Sequence, residues 1–456
     1  MRIKLGIPLS LKEIAKAVGY ETEREVLISH ISTDTREINT GDLFWAISGR
    51  TQDVSKYTEQ ARAMGCYTLS SEGNADIEIQ NTTEALLKLA AYYKSKLEKL
   101  IYTVGITGSV GKTTTKEFLK VILSAAYKVH ATEGNYNNNI GMPLTVLSAP
   151  TDTEILILEM GMNHLGEISA LSKCINPDIG VITNIGTAHI GLLGSRENIA
   201  EAKLEILDGM SGGVLVIPYG EQLLKGIPNS LTFSNHTGKA DVVIRRSSKE
   251  TLCIETDAWS ECEVPFKIQG VQFEECLAAA IAVCHRICLS SRLIKLGVSR
   301  ISSENVRQNT IRVGNIYIYD DSYNASFESV LADFDLLSTS YINFPTSILI
   351  GTVLELGEYS ADIHYKIGLA ASRYNFRRLF FLGEYALVMA KGAILGGVDA
   401  KRIFINGDLS KPEITAEQML SERITDETIL FKASNKVKLS RVIEILKERL
   451  EYGDYG

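Results

Sequence analysis

Short apolar segments of strand length alternate with helical segments through most of this 456-residue chain. Between about residues 100 and 220, the apolar segments EILILEMG, DIGVITNIG and GVLVIP are separated by amphipathic stretches. This order is typical of parallel βαβ units, in which a helix connects each strand to the next. The alternation stops near residue 290 and starts again near 311, so a second unit of the same kind is expected.

The chain length fits about three domains, at roughly 150 residues each. We expect an α/β fold with a small N-terminal α/β domain over residues 1–81. A central mononucleotide-binding domain with a mostly parallel sheet is expected over 82–310, and a Rossmann-like α/β domain over 311–456.

Composition excludes several classes of protein. The net charge of −8 gives no general attraction to nucleic acid or to an anionic membrane, so no nucleic-acid partner is expected. No run of eighteen apolar residues occurs and the N-terminus lacks the features of a signal peptide, so no membrane insertion is expected. Seven cysteines are scattered without a CxxC pair, which favours the reducing cytoplasm.

A glycine-rich segment, GITGSVGKTTTKEF (105–118), follows an apolar strand and opens a helix. Glycine lets backbone N–H groups surround phosphate oxygens, a helix N-terminus favours negative charge, and Lys112 can neutralise phosphates. The strict phosphate-loop spacing requires glycine where this chain has Ile106, and the alternative is a glycine-rich turn beside a surface lysine. The candidate nucleotide-binding residues are Thr107, Gly108, Ser109, Gly111, Lys112, Thr113 and Thr114.

Polar residues follow the next two strands and one helix. Glu159 ends an apolar strand, Asn184 and His189 follow another, and Lys203 lies on a helix. The carboxyl ends of parallel strands meet at one edge, so we expect Lys112, Glu159 and His189 to converge there. Taken singly, these residues also fit an exposed strand end, a buried core histidine and a salt bridge from Lys203 to a neighbouring glutamate.

An asparagine-rich segment, GNYNNNIGMPLTVL (134–147), lies between the glycine-rich segment and the strand that ends at Glu159. Asparagine tolerates turns and both donates and accepts hydrogen bonds, so Asn137 and Asn138 are candidate substrate contacts. A plain turn remains the alternative.

Taken together, these segments resemble the Mur ligase family, the ATP-dependent amide-forming enzymes of bacterial cell-wall synthesis. The resemblance runs in order over nearly the whole chain. The segments that carry it are STDTR (32–36), GDLFWAISG (41–49), TGSVGKTTTK (107–116), EGNYNNNIGMPLTVL (133–147), EMGMNHLGEI (159–168), TNIGTAHIGLLGS (183–195), EAKLEI (201–206), DDSYNASFESV (320–330) and GTVLELGEYSADIHYKIG (351–368).

The resemblance implies ATP and Mg²⁺ as cofactors and an acyl phosphate on the reaction path. Lys112, His189 and a carbamylated Lys203 would be the catalytic residues, with Thr113, Glu159, His189 and Lys203 holding two Mg²⁺ ions. A carbamate would turn a cationic lysine into an oxygen ligand that magnesium accepts. Further nucleotide contacts would come from Asn184, Arg307, Asp321 and Asn324, and contacts to the UDP-linked substrate from Ser32, Asp34, Thr35 and Arg36.

Several positions depart from the family pattern. Three polar residues that help to hold adenine are replaced, although Phe273 could stack on a base and Gln272 could still hydrogen-bond. A glutamate that usually follows the magnesium histidine is Gly191. The full set is Val54 and Ser55; Gly191; Pro218, Tyr219 and Gly220; Gln272, Phe273 and Cys276; and Ala433 and Asn435.

Three functional hypotheses follow. The first is a ligase that joins D-alanyl-D-alanine to a UDP-linked muramoyl tripeptide. In the second, a divergent ligase joins another carboxylate and amine, because the changed positions fall mostly on recognition. The third is a nucleotide-binding protein without turnover, and a retained second-metal set argues against it. We expect a monomer whose partners are small-molecule substrates.

Overall fold

The computed structural model describes residues 1–47, 54–72, 74–236, 238–258, 262–306, 309–314, 316–340, 344–421 and 426–451. Over these residues the strands form three separate sheets of five, nine and six strands. Helices accompany every sheet. The expected three-domain α/β fold is confirmed.

The first sheet is mixed. Its strands in spatial order are β1 (Arg2–Ser10), β2 (Leu27–Ser32), β3 (Leu43–Trp45), β4 (Tyr67–Ser70) and β5 (Ile77–Glu78), with helices α1 (Leu11–Val18) and α2 (Val54–Ala63). Only the β1–β2 pair is antiparallel. Ser10 caps α1 by accepting from the Glu13 amide, and Gly19 ends it at a φ of 85°. The sequence pattern did not predict β1.

The central sheet runs in the order β14-β13-β12-β11-β10-β9-β6-β8-β7. All pairs from β7 to β12 are parallel, whereas β13 and β14 add two antiparallel strands at one edge. The strands are β6 (Tyr102–Thr107), β7 (Val129–Ala131), β8 (Ile155–Glu159), β9 (Ile179–Ile182), β10 (Val214–Pro218), β11 (Ser230–Ser234), β12 (Val242–Ser248), β13 (Thr251–Thr256) and β14 (Cys262–Pro265). The helices are α3 (Thr82–Ser95), α4 (Lys112–Leu123), α5 (Gly141–Leu147), α6 (Glu167–Ile175), α7 (Ile190–Leu193), α8 (Arg196–Leu204), α9 (Val271–Arg286) and α10 (Ser291–Val298).

The third sheet runs in the order β15-β16-β20-β17-β18-β19, and only β15 is antiparallel to its neighbour. Its strands are β15 (Asn309–Val313), β16 (Ile316–Asp320), β17 (Thr346–Ile350), β18 (Leu379–Leu382), β19 (Ile403–Asn406) and β20 (Glu427–Lys432). The helices are α11 (Phe327–Ser340), α12 (Ser360–Ala371), α13 (Ala386–Leu395), α14 (Pro412–Ser421) and α15 (Ser440–Glu451). Since β15 begins at Asn309, this sheet starts two residues before the domain limit proposed at 311.

One continuous hydrophobic core extends through the first and central sheets into one face of the third. A second core lies beneath α14 and α15 on the other face of the third sheet. All seven cysteines are free thiols. Among the described helices, none combines the length and the apolar composition that a membrane span requires.

The order of the central strands positions the candidate site. β6 lies between β8 and β9, and all three run parallel. Their carboxyl ends therefore open onto the same edge of the sheet, which is where open α/β sheets place their ligands.

Candidate functional site

A cavity of about 870 Å³ opens at the carboxyl ends of β6, β8 and β9. Most of its wall comes from the central domain, including the loop from Thr107 to Thr114. Ile47 reaches the cavity from the first sheet region, and Asp321 and Asn324 reach it from the third. One cavity thus brings together residues from all three parts of the chain.

The glycine-rich loop joins β6 to α4 and takes its shape from two glycines. Gly108 has a φ of 150°, and a Cβ there would lie 1.8 Å from the Thr183 hydroxyl oxygen. Gly111 caps α4 at a φ of 83°, and a Cβ there would lie 2.9 Å from the Cys276 sulfur. Both positions therefore require glycine, because each has a positive φ and a side chain would meet Thr183, just after β9, or Cys276 in α9.

Asn184 holds this loop from the end of β9. Its Oδ1 accepts hydrogen bonds from the Ser109 amide at 3.1 Å and the Val110 amide at 3.0 Å. The Thr183 hydroxyl donates to the Val110 carbonyl at 2.5 Å, and the Gly186 amide donates to the Ser109 hydroxyl at 2.9 Å. Asn184, expected to contact nucleotide, here fixes the backbone of the loop.

Lys112 begins α4 and folds back over the loop. Its Nζ donates to the Gly108 carbonyl at 2.7 Å. The backbone amides of the first turn of α4 have no acceptor within the helix, as in any α-helix. A lysine, the N-terminal amides of a helix and a glycine-shaped loop together form a site suited to phosphate oxygens.

A carboxylate and a hydroxyl meet beside the loop. Glu159, at the end of β8, is only 2% exposed, and its Oε2 accepts from the Thr113 hydroxyl at 2.8 Å. Its other oxygen accepts from the side-chain amide of Asn137 at 2.8 Å. Glu159 is therefore not an exposed strand end, and Asn137 lies at the site. Asn138 also lines the cavity, but its Oδ1 accepts from the Ile140 and Gly141 amides at the start of α5.

Lys203 lies in the cavity wall and is 2% exposed. Burial lowers the pKa of its amine well below the ordinary value, and the charge of Lys112 lowers it further. The salt bridge to Glu205 does not form, because Glu205 accepts from the amides of Gly166 and Ser169 instead.

His189 follows β9 with a left-handed backbone, at a φ of 66°. Its Nδ1 lies 2.6 Å from a carboxylate oxygen of Glu355, which belongs to the third domain. Burial lowers the pKa of the imidazole despite Glu355, and Lys112 and Lys203 lower it further. The ring is therefore neutral near pH 7.

Other contacts also join the third domain to the His189 loop. Glu328, in the first turn of α11, accepts from the Thr187 amide at 2.8 Å and from its hydroxyl at 3.2 Å. The Tyr359 hydroxyl donates to the Gly194 carbonyl at 2.7 Å. The third domain is thus closed against the central one.

Asp321 and Asn324 reach the cavity, and a side-chain oxygen of each has a partner within the third domain. Asp321 pairs with the buried Lys432, and the Asn324 Oδ1 accepts from the Ala325 amide at 2.9 Å. Thr107 and Thr114 line the cavity beside the loop, and the Thr107 hydroxyl is buried without a hydrogen-bond partner.

The four candidate substrate residues of the first domain do not line this cavity. The hydroxyl of the buried Ser32 donates to the Met1 carbonyl at 3.1 Å, and Asp34 pairs with Arg36 at 2.5 Å. Thr35 is buried, whereas the Arg36 side chain is 86% exposed. Arg307 lies outside the described residues.

The segment that departs from the family pattern begins α9 beside the loop. Phe273 is 5% exposed and lines the cavity next to Gln272. Both polar atoms of the Gln272 side chain are buried without a hydrogen-bond partner. Cys276 donates weakly to the Gly111 carbonyl at 3.7 Å. The cavity wall beside the phosphate loop therefore contains an aromatic ring and an unpaired amide.

These residues fit a magnesium nucleotide. The loop and the first turn of α4 offer donors for phosphates, and the pairing of Thr113 with Glu159 offers oxygen ligands that Mg²⁺ prefers. In the described part of the chain, no group of three His, Cys, Asp or Glu side chains could hold a metal by itself. Phosphate oxygens and water would complete the coordination.

Sequence reasoning missed Thr183, Glu328 and Glu355. Glu328 and Thr187 are 141 residues apart in the chain, and Tyr359 and Gly194 are 165 apart. No local pattern marks such contacts. The one available signal was the glycine at 191, where a glutamate was expected.

Comparison with known proteins agrees with this geometry. The Mur ligase middle domain matches residues 106–284. The chain is 32% identical to the UDP-N-acetylmuramoyl-tripeptide–D-alanyl-D-alanine ligase of Bacillus subtilis, over 96% of this chain and 98% of that protein. The ligase of the same name from Synechocystis is 31% identical over 92% of each chain.

Solved structures give the same result. MurF from Acinetobacter baumannii is 25% identical and superposes with a TM-score of 0.87, covering 98% of this chain and 100% of that one. The MurF ligase of Thermotoga maritima, solved in complex with ADP, is 27% identical with a TM-score of 0.79, covering 92% of this chain and 97% of that one. With a phosphate loop, three sheets and relatives that match along nearly its whole length, the chain belongs to the Mur ligase family.

Proposed function

We propose that this ATP-dependent ligase joins D-alanyl-D-alanine to UDP-N-acetylmuramoyl tripeptide in peptidoglycan synthesis. Relatives named for that reaction match it along nearly their whole length. Residues 1–81 would bind the UDP-linked substrate, 82–310 would bind ATP, and 311–456 would close the site and receive the amine. We further propose a cytoplasmic monomer, which is consistent with seven free thiols.

The observation that carries the proposal is the convergence of Lys112, Glu159, His189 and Lys203 on one cavity. A protein that only bound nucleotide would need the phosphate loop alone. Here a histidine and a buried lysine line the same cavity as the phosphate loop, where a second substrate can meet the phosphates.

The reaction has two steps. A carboxylate oxygen of the tripeptide attacks the γ-phosphorus of ATP, so that the P–O bond to ADP breaks and an acyl phosphate forms. The amine of the dipeptide then attacks the acyl carbon, and the tetrahedral intermediate loses inorganic phosphate and a proton to give the amide. Bound Mg²⁺ would neutralise the phosphate charge during both steps.

The residues of this chain would chiefly bind and orient the nucleotide, the metal ions and the substrate. Lys112 and the first amides of α4 would bind the phosphates, and Thr113 and Glu159 would hold one Mg²⁺. His189 and Lys203 would hold the second, and Asn137 would contact substrate through the amide that now reaches Glu159. Positioning and charge neutralisation supply most of the rate in such phosphoryl transfers.

A carbamate on Lys203 fits its surroundings. Burial lowers the pKa of the Lys203 amine and so favours its uncharged form, which is the form that reacts with CO₂. The product carries a negative charge and two oxygens into a wall that also holds Lys112 and His189. Carbamylation therefore turns a buried amine beside Lys112 into an anionic oxygen ligand for Mg²⁺.

A phosphate-release assay tests the proposal. With ATP and Mg²⁺, release should require both UDP-N-acetylmuramoyl tripeptide and D-alanyl-D-alanine, and mass spectrometry should detect the joined product. Release only with other carboxylate and amine pairs would indicate a divergent ligase. Measurable ATP binding without release for any pair would indicate a nucleotide-binding protein without turnover.

A further inference from the structure

The His189 loop and the turn after β17 touch through their backbones. A Cβ at Gly191 would lie 2.3 Å from the Gly357 amide nitrogen, and one at Gly357 would lie 2.9 Å from the Gly191 Cα. The Gly191 amide donates to the Glu355 carbonyl at 3.0 Å. The glutamate expected at position 191 would therefore prevent this approach of the two domains.

The same approach brings a different carboxylate to the histidine. Glu355 Oε2 lies 2.6 Å from His189 Nδ1, a buried nitrogen that has no partner with full hydrogen-bond geometry among the described residues. Both residues have left-handed backbones, with φ values of 66° and 64°. Such conformations cost energy in residues other than glycine and are typical of functional sites.

The ring nitrogen that carries the proton leaves the other nitrogen of the imidazole available to bind a metal. In a neutral imidazole the nitrogen beside a carboxylate keeps the proton, and the other nitrogen keeps a lone pair that can bind a metal. Glu355 is the acidic side chain that contacts Nδ1. In the closed protein, Nε2 is therefore the nitrogen left without a proton.

We propose that Glu355 is a positioning residue: closure of the third domain places its carboxylate on Nδ1 of His189 and so prepares Nε2 for the second Mg²⁺. The proposal rests on the proposed function for the presence of that ion. It also explains the exchange at position 191, where a glycine admits the domain that carries the carboxylate. The metal site is thereby complete only when the domains are closed.

The tautomer of His189 tests the contact without any ligand. Histidine would be labelled with ¹⁵N, and His189 would be assigned by its loss in His189→Gln. We expect wild type and Glu355→Gln, whose amide oxygen still accepts, to carry the ring proton on Nδ1. Glu355→Ala should move it partly or wholly to Nε2, while the other six of seven histidines keep their signals.

Glu358→Ala is the matched control, because it removes an exposed carboxylate from the neighbouring turn and should leave the tautomer unchanged. A wild-type proton on Nε2, or an Nδ1 proton that survives Glu355→Ala, would overturn the proposal.

The second readout is the Mg²⁺ concentration for half-maximal phosphate release. Glu355→Ala should raise it about 10-fold, the scale for losing a partner of a metal-binding histidine. Glu355→Gln should restore part of this change, and Glu358→Ala should have none. An unchanged Mg²⁺ requirement in Glu355→Ala would also overturn the proposal. If the wild-type protein shows no activity on the proposed substrates, the proposed function alone is contradicted. The tautomer of His189 would still test the positioning role of Glu355.

Discussion

The surroundings of Lys203 disfavour the charged form of its amine. Burial and Lys112 both disfavour the protonated amine, and the side chain lies in the wall of the cavity. These surroundings distinguish it from the exposed lysines of the same domain, such as Lys173, whose side chain is 62% exposed and pairs with Asp208.

Replacing Lys203 with alanine should lower phosphate release by more than about 100-fold, since the second metal would lose an anionic ligand. Wild type should lose activity in CO₂-depleted buffer and regain it with bicarbonate, whereas bicarbonate should not rescue Lys203→Ala. Lys173→Ala should behave as wild type. Near-normal turnover of Lys203→Ala would rule out the carbamate.

Phe273 is one of the positions that depart from the family pattern, and its ring forms part of the cavity wall. Phe273→Ala should weaken binding of a non-hydrolysable ATP analogue about 10-fold, as expected when a base loses a stacking partner. Calorimetry with inorganic tripolyphosphate provides the control, because its binding should not change. Wild-type affinity for the analogue would exclude stacking on this ring.

At the scale of elements, three side chains tie β16, β20 and α11 together. Lys432, at the end of β20, is 2% exposed and contacts both Asp321 and Asp333. Burial raises the pKa of Asp333 to about 8, although Lys432 opposes the shift. The folded protein therefore holds a proton on Asp333 at pH values where the unfolded chain, with a pKa of about 3.9, has lost it.

The sign of the pH dependence follows from this difference. The contribution of protonated Asp333 to the free energy of unfolding is complete below the unfolded pKa and is lost as the pH rises toward 8. The free energy of unfolding should fall by up to about 1.4 kcal/mol per pH unit over this range. Urea unfolding at pH 5, 6, 7 and 8 should show this decline in wild type and a shallower one in Asp333→Asn. Asp362→Asn, at an exposed helix pair, is the control. Equal slopes in wild type and Asp333→Asn would contradict the shift.

Elements defined by local pattern were predictable from the sequence, and those defined by distant partners were not. The phosphate loop could be predicted because strand, glycines, lysine and helix are consecutive. Strands β11 to β14 were missed because they break the strand–helix alternation, and β12 exposes most of its second half. The hydrogen bonds from the phosphate loop to Asn184 could not be predicted, since the donors lie 74 and 75 residues away.

For the whole molecule, closure depends on the contact between Gly191 and Gly357. Gly191→Glu, which restores the residue usual in the family, should hold the third domain open, because even a Cβ there would collide with the backbone. Small-angle scattering should show a larger radius of gyration, and kcat should fall by at least about 10-fold if closure completes the site. Nucleotide binding to the central domain should persist.

Leu192→Glu is the control for that experiment, because it adds the same charge at a neighbouring side chain that is 48% exposed. It should leave both the radius and kcat near the wild-type values. An equal radius of gyration for Gly191→Glu and wild type would show that closure of the domains does not depend on the contact between Gly191 and Gly357.

Two glycine backbones in contact have no side chains that could be exchanged for others. Substitution at either can only add bulk, so this junction resists compensation by a single second mutation. It also lies outside the phosphate loop. A small compound wedged between Gly191 and Gly357 would therefore keep the enzyme open without competing with ATP, and its effect would survive the high ATP concentrations of a growing cell.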